Sequence, residues 1–83
     1  MRDGSVAPRQ VLTDTPRLVL TGREEVLIEQ HTGLFSYETA CIRVRTRIGL
    51  WTVTGAGLVI RYFGAEDLLI RGRIDGIAVS GEE

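Results

Sequence analysis

The sequence Leu50-Trp-Thr-Val-Thr-Gly-Ala-Gly-Leu-Val-Ile-Arg-Tyr-Phe-Gly-Ala-Glu-Asp-Leu-Leu-Ile-Arg-Gly72 indicates the fold class of this chain most clearly. Its residues alternate as in an extended strand, with Trp51 and Val53 on one face and Leu50 on the other. Gly55-Ala-Gly57 interrupts this run, and a second alternating run begins at Leu58. The pattern therefore predicts a strand, a glycine turn and a second strand.

The same two-strand unit recurs along the chain. Leucines at spacings of 16, 16 and 18 residues each open an apolar run, and a second apolar pair follows eight to nine residues later. The leucines are Leu18, Leu34, Leu50 and Leu68, and the pairs are Val26 and Ile28, Ile42 and Val44, Leu58 and Ile60, and Ile77 and Val79. About four such repeats predict an all-β domain of about eight short strands.

Two architectures fit these repeats. In an antiparallel meander each copy is a hairpin, and the sheet curls into a roll or small sandwich to bury the leucines. In a short β-solenoid of about four coils, like residues stack in parallel ladders. The predicted turns at residues 30–33 and 47–49 are short enough for hairpin loops, which favours the meander.

One face of the predicted sheet supplies the core. We expect this core to contain Leu18, Leu20, Val26, Ile28, Leu34, Ile42, Val44, Leu50, Leu58, Ile60, Leu68, Ile70, Ile77 and Val79.

The opposite face carries a second apolar set, which a one-sided sheet would leave in water. Its members are Val19, Phe35, Trp51, Val53, Val59, Phe63 and Leu69. Either the sheet folds over and covers both faces, or this set forms an interface with a second copy or a partner protein. We favour the interface, with Trp51 as its anchor, because only the polar residues before Pro16 are left to cover a second face. A glutamate at position 51 would then abolish the contact without unfolding the protein.

Length and composition predict one domain. Residues 1–15 are polar and aperiodic and predict a flexible arm, residues 16–80 form the β domain, and residues 81–83 are a frayed acidic end. We find no run of the ~18–20 apolar residues that a membrane span requires and no secretion signal, so we expect a cytoplasmic protein. The net charge of −1 offers no general attraction to nucleic acid, and we expect none to bind.

All ten basic residues are arginine. Arg43, Arg45 and Arg47 alternate on one predicted strand face, and Arg61 and Arg71 join them if the strands pair in register. We interpret this as a solvated outer face rather than an anion site, because carboxylates in neighbouring strands and turns can pair with it. Those carboxylates are Glu24, Glu25, Glu29 and Glu38.

The sequence predicts no catalytic, cofactor or metal site. His31, the only histidine, lies in a predicted surface turn without a second imidazole or thiol nearby. Cys41 is interpreted as a small core residue. Glu66 and Asp67 are adjacent in a predicted turn and point apart, and Gly55-Ala-Gly57 precedes no helix that could bind phosphate.

Three pieces of sequence carry a family resemblance. They are the Pro16-Arg17 opening, Ile-Glu-Gln-His-Thr-Gly at residues 28–33, and Leu-Leu-Ile-Arg-Gly-Arg-Ile at residues 68–74. In this order the chain resembles the YabP/YqfC family of sporulation proteins, and its YqfC branch in particular. The resemblance covers roughly three quarters of the chain.

The resemblance implies a non-enzymatic assembly or scaffold factor in the cytoplasm of the mother cell. Such a protein would work with an integral membrane protein at the outer membrane around the developing spore. Two alternatives stay open: a β-domain that self-polymerises into a homo-oligomer with a cytoskeletal role, and a nucleic-acid binder that combines the arginines with Tyr62 as a stacking surface.

Overall fold

A computed structural model describes residues 15–81, which form six β-strands and no helix. The strands are β1 (Arg17–Thr21), β2 (Glu25–Glu29), β3 (His31–Glu38), β4 (Cys41–Thr46), β5 (Gly49–Phe63) and β6 (Asp67–Ser80). They make one open sheet in the order β1-β2-β6-β5-β4-β3. Every neighbouring pair is antiparallel, so the all-β prediction is confirmed and the parallel solenoid is excluded. Apart from Thr15 and Gly81, the predicted arm and frayed end lie outside the described residues.

The strand order departs from a simple meander at Gln30. Strands β3 to β6 follow one another as a meander, but β2 pairs with β6 instead of β3. The predicted hairpin turn at residues 30–33 is therefore wrong. Gln30 has a φ of 63°, in the left-handed region, and the chain turns a corner there. Pairing with β6 places Val26 beside Ile70, which buries both side chains completely.

The two long strands explain why the structure has six strands where we expected about eight. Strands β5 and β6 contain 15 and 14 residues, and each replaces a predicted two-strand unit. Residues 49–54 and 76–80 join β3 and β4 in what we call the first half-sheet. Residues 59–63 and 67–71 join β1 and β2 in the second half-sheet. The predicted glycine turn at residues 55–57 is a bend within β5.

Irregular pairing at the bend changes which residues face inward. The β5–β6 register shifts between Thr54 and Gly55, between residues 56 and 59, and again between residues 60 and 62. Each extra residue reverses the alternation of side chains. Trp51 is buried before the bend, and Leu58 is buried after it. The prediction that Leu50 and Leu58 share one core face is therefore wrong.

The core lies between the two half-sheets, which face each other across the bend. Its buried residues are Val26, Ile28, Ile42, Val44, Trp51, Val53, Leu58, Leu68, Ile70 and Ile74. Partly buried residues packed against them are Leu18, Leu34, Ile60 and Ile77. Leu20 and Val79 share a face with core residues through the strand register but lie at its rim, 47% and 57% exposed. Their predicted burial is wrong.

Glycines permit the two long strands to approach closely at the bend. A Cβ atom at Gly55 would collide with the backbone carbonyl oxygen of Arg73. A Cβ atom at Gly72 would lie 2.6 Å from the carbonyl oxygen of Gly57 and 2.9 Å from the Cα of Leu58. Gly72 also has a φ of 142°, which side chains disfavour. Glycine is thus required at both positions.

The β3–β4 turn supplies hydrogen-bond acceptors where β5 bends. The amide of Gly55 donates to the carbonyl oxygen of Ala40 at 3.1 Å, and the amide of Leu58 donates to that of Thr39 at 2.9 Å. These amides lie where the β5–β6 register shifts. The turn therefore accepts hydrogen bonds from backbone amides that have no partner in the irregular β5–β6 pairing.

The β1–β2 turn supplies hydrogen-bond acceptors to β6 at the bend. The amide of Gly72 donates to the carbonyl oxygen of Glu24 at 3.1 Å, and the amide of Ile74 donates to that of Arg23 at 2.8 Å. The bend is thus supported by one turn from each half-sheet.

Asp75 is the extra residue of β6 at the register shift between Thr54 and Gly55. Arg73 donates two hydrogen bonds of 3.2 Å to its carboxylate, and Arg23 donates a third of 3.3 Å. The hydrogen bond from Arg73 lowers the pKa of Asp75 below its ordinary value. The interaction therefore stabilises the fold at neutral pH and is lost as Asp75 becomes protonated in acid, and its exposure keeps the contribution small.

We predict that Gly55→Ala destabilises the protein by about 3 kcal/mol, the upper end of the usual cost of overpacking, because the new methyl group collides with backbone that cannot move independently. The matched control is Gly76→Ala in the same strand pair, where a Cβ meets only the Thr54 hydroxyl oxygen, at 3.0 Å. Urea denaturation measures both. Equal stability of the two variants would contradict the proposed role of the close approach.

Leu58→Ala should destabilise the protein by about 2–5 kcal/mol, because it leaves a cavity at a fully buried position beside the bend. Val59→Ala removes an apolar side chain from the adjacent, exposed position and should change the stability little. Thermal melts of the two variants provide the comparison. A wild-type melt for Leu58→Ala would show that Leu58 lies outside the core.

Candidate interaction surface

A line of apolar side chains crosses the outside of the second half-sheet. The register places Val19 beside Leu27, Leu27 beside Leu69, and Leu69 beside Tyr62, on β1, β2, β6 and β5. We call these four residues the outer apolar row. The side chains before and after Leu27 on β2 are fully buried, so the row lies on the face opposite the core. It is open to an apolar partner.

Tyr62 is the most prominent member of the outer apolar row. Tyr62 is 57% exposed, whereas the other three members are half-buried. A Cβ atom placed on Gly64 would lie 2.9 Å from the ring of Tyr62, so the absence of a side chain there gives the ring its place. A tyrosine offers a large apolar ring and a hydroxyl group, a combination that is frequent in the centres of protein interfaces.

Ion pairs border the outer apolar row on both sides. On one side, Nη1 of Arg17 lies 3.2 Å from Oε1 of Glu29. On the other side, Nη1 of Arg71 lies 3.2 Å from Oε1 of Glu25. Both pairs are partly exposed, so each stabilises the fold by no more than about 1 kcal/mol. Each arginine neutralises a glutamate. The surface therefore has an apolar centre and a polar rim without strong net charge, as many protein interfaces do.

The structure brings together part of the predicted interface. Val19 and Leu69 belong to the outer apolar row, and Val59 is exposed in the adjacent row beside Arg71. Leu27 and Tyr62 were missed. Leu27 could have been found from its place between two apolar residues that share the opposite face of β2. Tyr62 could not, because the register shift before it places it beside Leu69.

Four members of the predicted interface lie elsewhere. Trp51 is 5% exposed and Val53 is fully buried, so their assignment to an interface is wrong. The regular β4–β5 register places them beside the fully buried Val44 and Ile42, so both face the core. Phe35 is exposed on the first half-sheet, and Phe63 is exposed at the β5–β6 turn, where its ring contacts that of His31.

His31 is a buried structural residue, so its prediction as a surface turn residue is wrong. It is 7% exposed, and its amide donates to the carbonyl oxygen of Glu66 at 3.0 Å. Its Nε2 lies 2.9 Å from the carbonyl oxygen of Gly64, which can only accept, so Nε2 carries the proton. These bonds fasten the corner at Gln30 to the β5–β6 turn.

The remaining chemical groups show no shared site. Cys41 is half-buried. Within residues 15–81, no three His, Cys, Asp or Glu side chains are grouped as a metal ion would require. The same residues contain no helix with the length and hydropathy to cross a membrane.

We predict that Trp51→Glu unfolds the protein. Loss of a buried aromatic side chain costs ~3–5 kcal/mol, and burial of the glutamate charge adds a further cost. Tyr62→Glu should leave the fold intact, because the residue is exposed. Near-UV circular dichroism and thermal melting distinguish the two results. A folded Trp51→Glu variant would show that Trp51 is not part of the core.

Comparison with known proteins agrees with the resemblance in the sequence. The YabP family matches residues 13–83. The uncharacterized protein YqfC of Bacillus subtilis (strain 168) is 32% identical over 68 residues, which cover 82% of this chain and 73% of that protein. No solved structure matches the chain. Since the match extends over the whole described sheet, the chain belongs to the YabP family.

Proposed function

We propose that this protein is a non-enzymatic sporulation protein that acts in the mother cell as an assembly or scaffold factor. It binds an integral membrane protein at the membrane around the developing spore. Membership of the YabP family supports the association with sporulation. The outer apolar row is the observation that carries the binding role, because no other part of residues 15–81 covers it.

The dimensions of the outer apolar row suit an amphipathic helix. Four strands about 4.8 Å apart give the row a length of ~14 Å. This equals almost three turns of an α-helix at ~5.4 Å per turn, so apolar residues spaced three and four apart can follow the row. The ion pairs at the rim can contact the polar sides of such a helix. We infer that a water-exposed helix of the membrane partner binds here.

The side chains of the described residues support a non-enzymatic role. His31 holds the corner at Gln30, and Asp75 binds the arginines beside the bend. Each of these groups has a structural task.

The geometry favours neither alternative function. Self-polymerisation would use the free edges of β1 and β3, but β1 has only five residues and β3 has two register shifts that disrupt an edge. Nucleic-acid binding would need the arginines and Tyr62 on one surface. Arg43 and Tyr62 instead lie on different half-sheets.

Site-specific photocrosslinking in sporulating cells tests the proposed partner. A photoreactive amino acid at position 62 should crosslink the protein to an integral membrane protein. The same group at position 48 is the control, because Ile48 is exposed and apolar but lies in the β4–β5 turn. Equal crosslinks from both positions, or none from position 62 to a membrane protein, would contradict the proposed surface.

We expect Tyr62→Glu to reduce the yield of heat-resistant spores at least tenfold without lowering the melting temperature, because it places a charge in the centre of the contact. Ile48→Glu introduces the same charge outside the row and should sporulate normally. Colony counts after heat treatment measure the effect. Wild-type sporulation of the folded Tyr62→Glu variant would exclude the outer apolar row as the functional surface.

A further inference from the structure

The outside of the first half-sheet has a different chemistry from the outer apolar row. Arg43 and Arg45 lie on β4 on either side of the fully buried Val44, so both point away from the core. Arg43 lies beside Thr52 on β5, which lies beside Ala78 on β6. The two arginines therefore lie beside a part of the sheet surface that carries short side chains.

Two of the four glutamates expected to neutralise these arginines are engaged elsewhere, and Glu38 lies beside Cys41 on the same strand face as Arg43 without an ion pair to it. Glu25 pairs with Arg71, and Glu29 pairs with Arg17, both on the second half-sheet. Among residues 15–81, no ion pair involves Arg43 or Arg45. The expected pairing with a neighbouring glutamate is confirmed for Arg71 on the second half-sheet but not for Arg43 and Arg45, which leave positive charge on this face.

Arg45 is held in place by an aromatic ring. Its guanidinium carbon lies 4.7 Å from the centre of the Phe35 ring. Stacking restricts the guanidinium group while leaving its N–H groups at the edge free to donate. Such a group can bind a carboxylate with two parallel hydrogen bonds and loses little conformational freedom in doing so.

A cleft of about 430 Å³ lies at the end of this face. The residues that line it include Arg45 and Arg47, the apolar Phe35 and Leu50, and Ser80. No carboxylate from residues 15–81 lines it. The cleft has room for one long acidic side chain, whose methylene groups would contact the apolar walls.

We propose that this face binds an acidic, extended segment of a protein partner. Alternate residues of a β-strand lie ~6.6–6.8 Å apart, and this spacing separates Arg43 from Arg45. An extended peptide with carboxylates at alternate positions has the same repeat. One carboxylate binds Arg43, and the next enters the cleft beside Arg45.

Two other anionic partners fit the face less well. Three arginines are fewer than the roughly four to eight cations that recruit a protein to an anionic lipid surface. Single-stranded nucleic acid requires open aromatic rings on which bases stack, and Arg45 covers one side of the Phe35 ring. The acidic peptide uses the features of the face that these partners leave unused, namely the two-residue spacing and the cleft.

Fluorescence anisotropy with the full-length protein tests this proposal. The probe is a labelled peptide with glutamate at three alternate positions, and the reference peptide has glutamine at those positions. We expect the glutamate peptide to bind at least tenfold more tightly, and its affinity to fall as salt rises. Equal binding of the two peptides would overturn the proposal.

Two variants with the same change in charge locate the site. Arg43→Gln should weaken binding at least fivefold, whereas Arg61→Gln on the second half-sheet should change it less than twofold. Thermal melts confirm that both variants are folded. Equal loss in both would show attraction by net charge alone and would overturn the proposed site. Tighter binding to phosphatidylglycerol vesicles or single-stranded DNA than to the peptide, lost in Arg43→Gln, would replace the peptide with that partner.

This site is independent of the proposed membrane contact. Tyr62 lies on the other half-sheet, so the Tyr62→Glu variant should bind the glutamate peptide as tightly as the wild type does. Weaker binding of that folded variant would contradict the assignment of the peptide to the first half-sheet. Failure of the spore test with Tyr62→Glu leaves this measurement unaffected.

Discussion

The close approach of β5 and β6 at the bend is the constraint on which the fold depends. A chain of 83 residues has little material for a second layer over a sheet. It buries its apolar face by folding one sheet across Gly55 and Gly72, where neither strand tolerates a Cβ atom. One hairpin then serves both half-sheets, and Leu58 and Ile74 are buried beside the bend. Larger residues at the glycines would force the two halves apart.

Alternation along the sequence predicted the strands well but could not predict how many there are. A glycine turn and a glycine bend have the same local pattern, since Gly55-Ala-Gly57 interrupts an apolar run in either case. What distinguishes them is a distant contact, because the carbonyl groups of Thr39 and Ala40 accept hydrogen bonds from the bent strand. No pattern within residues 50–72 contains that information.

The candidate surface was predictable only where the register is regular. Val19 and Leu69 were predicted because β1, β2 and the start of β6 pair without a shift. Trp51 was assigned to the same face because alternation was carried through the bend, where extra residues reverse it. Phe35 does lie on the outside, as predicted, but on the first half-sheet, because the single sheet folds across the bend. Bulges arise from strand pairing, and a single sequence read as strands does not locate them.

Folding one sheet on itself also determines how two partners could be held together. The core occupies the space between the half-sheets, so their outer faces point in opposite directions, separated by two layers of a sheet sandwich about 10 Å apart. One outer face is apolar with neutral ion pairs at its rim, and the other is basic with a cleft. A helix on Tyr62 and an acidic strand on Arg43 would not compete for space. Because the β5–β6 hairpin is shared by both half-sheets, the two sites are joined by continuous backbone hydrogen bonding rather than by a flexible linker. The two proposed contacts would therefore lie at a fixed distance from each other, which is the physical requirement for the proposed scaffold role.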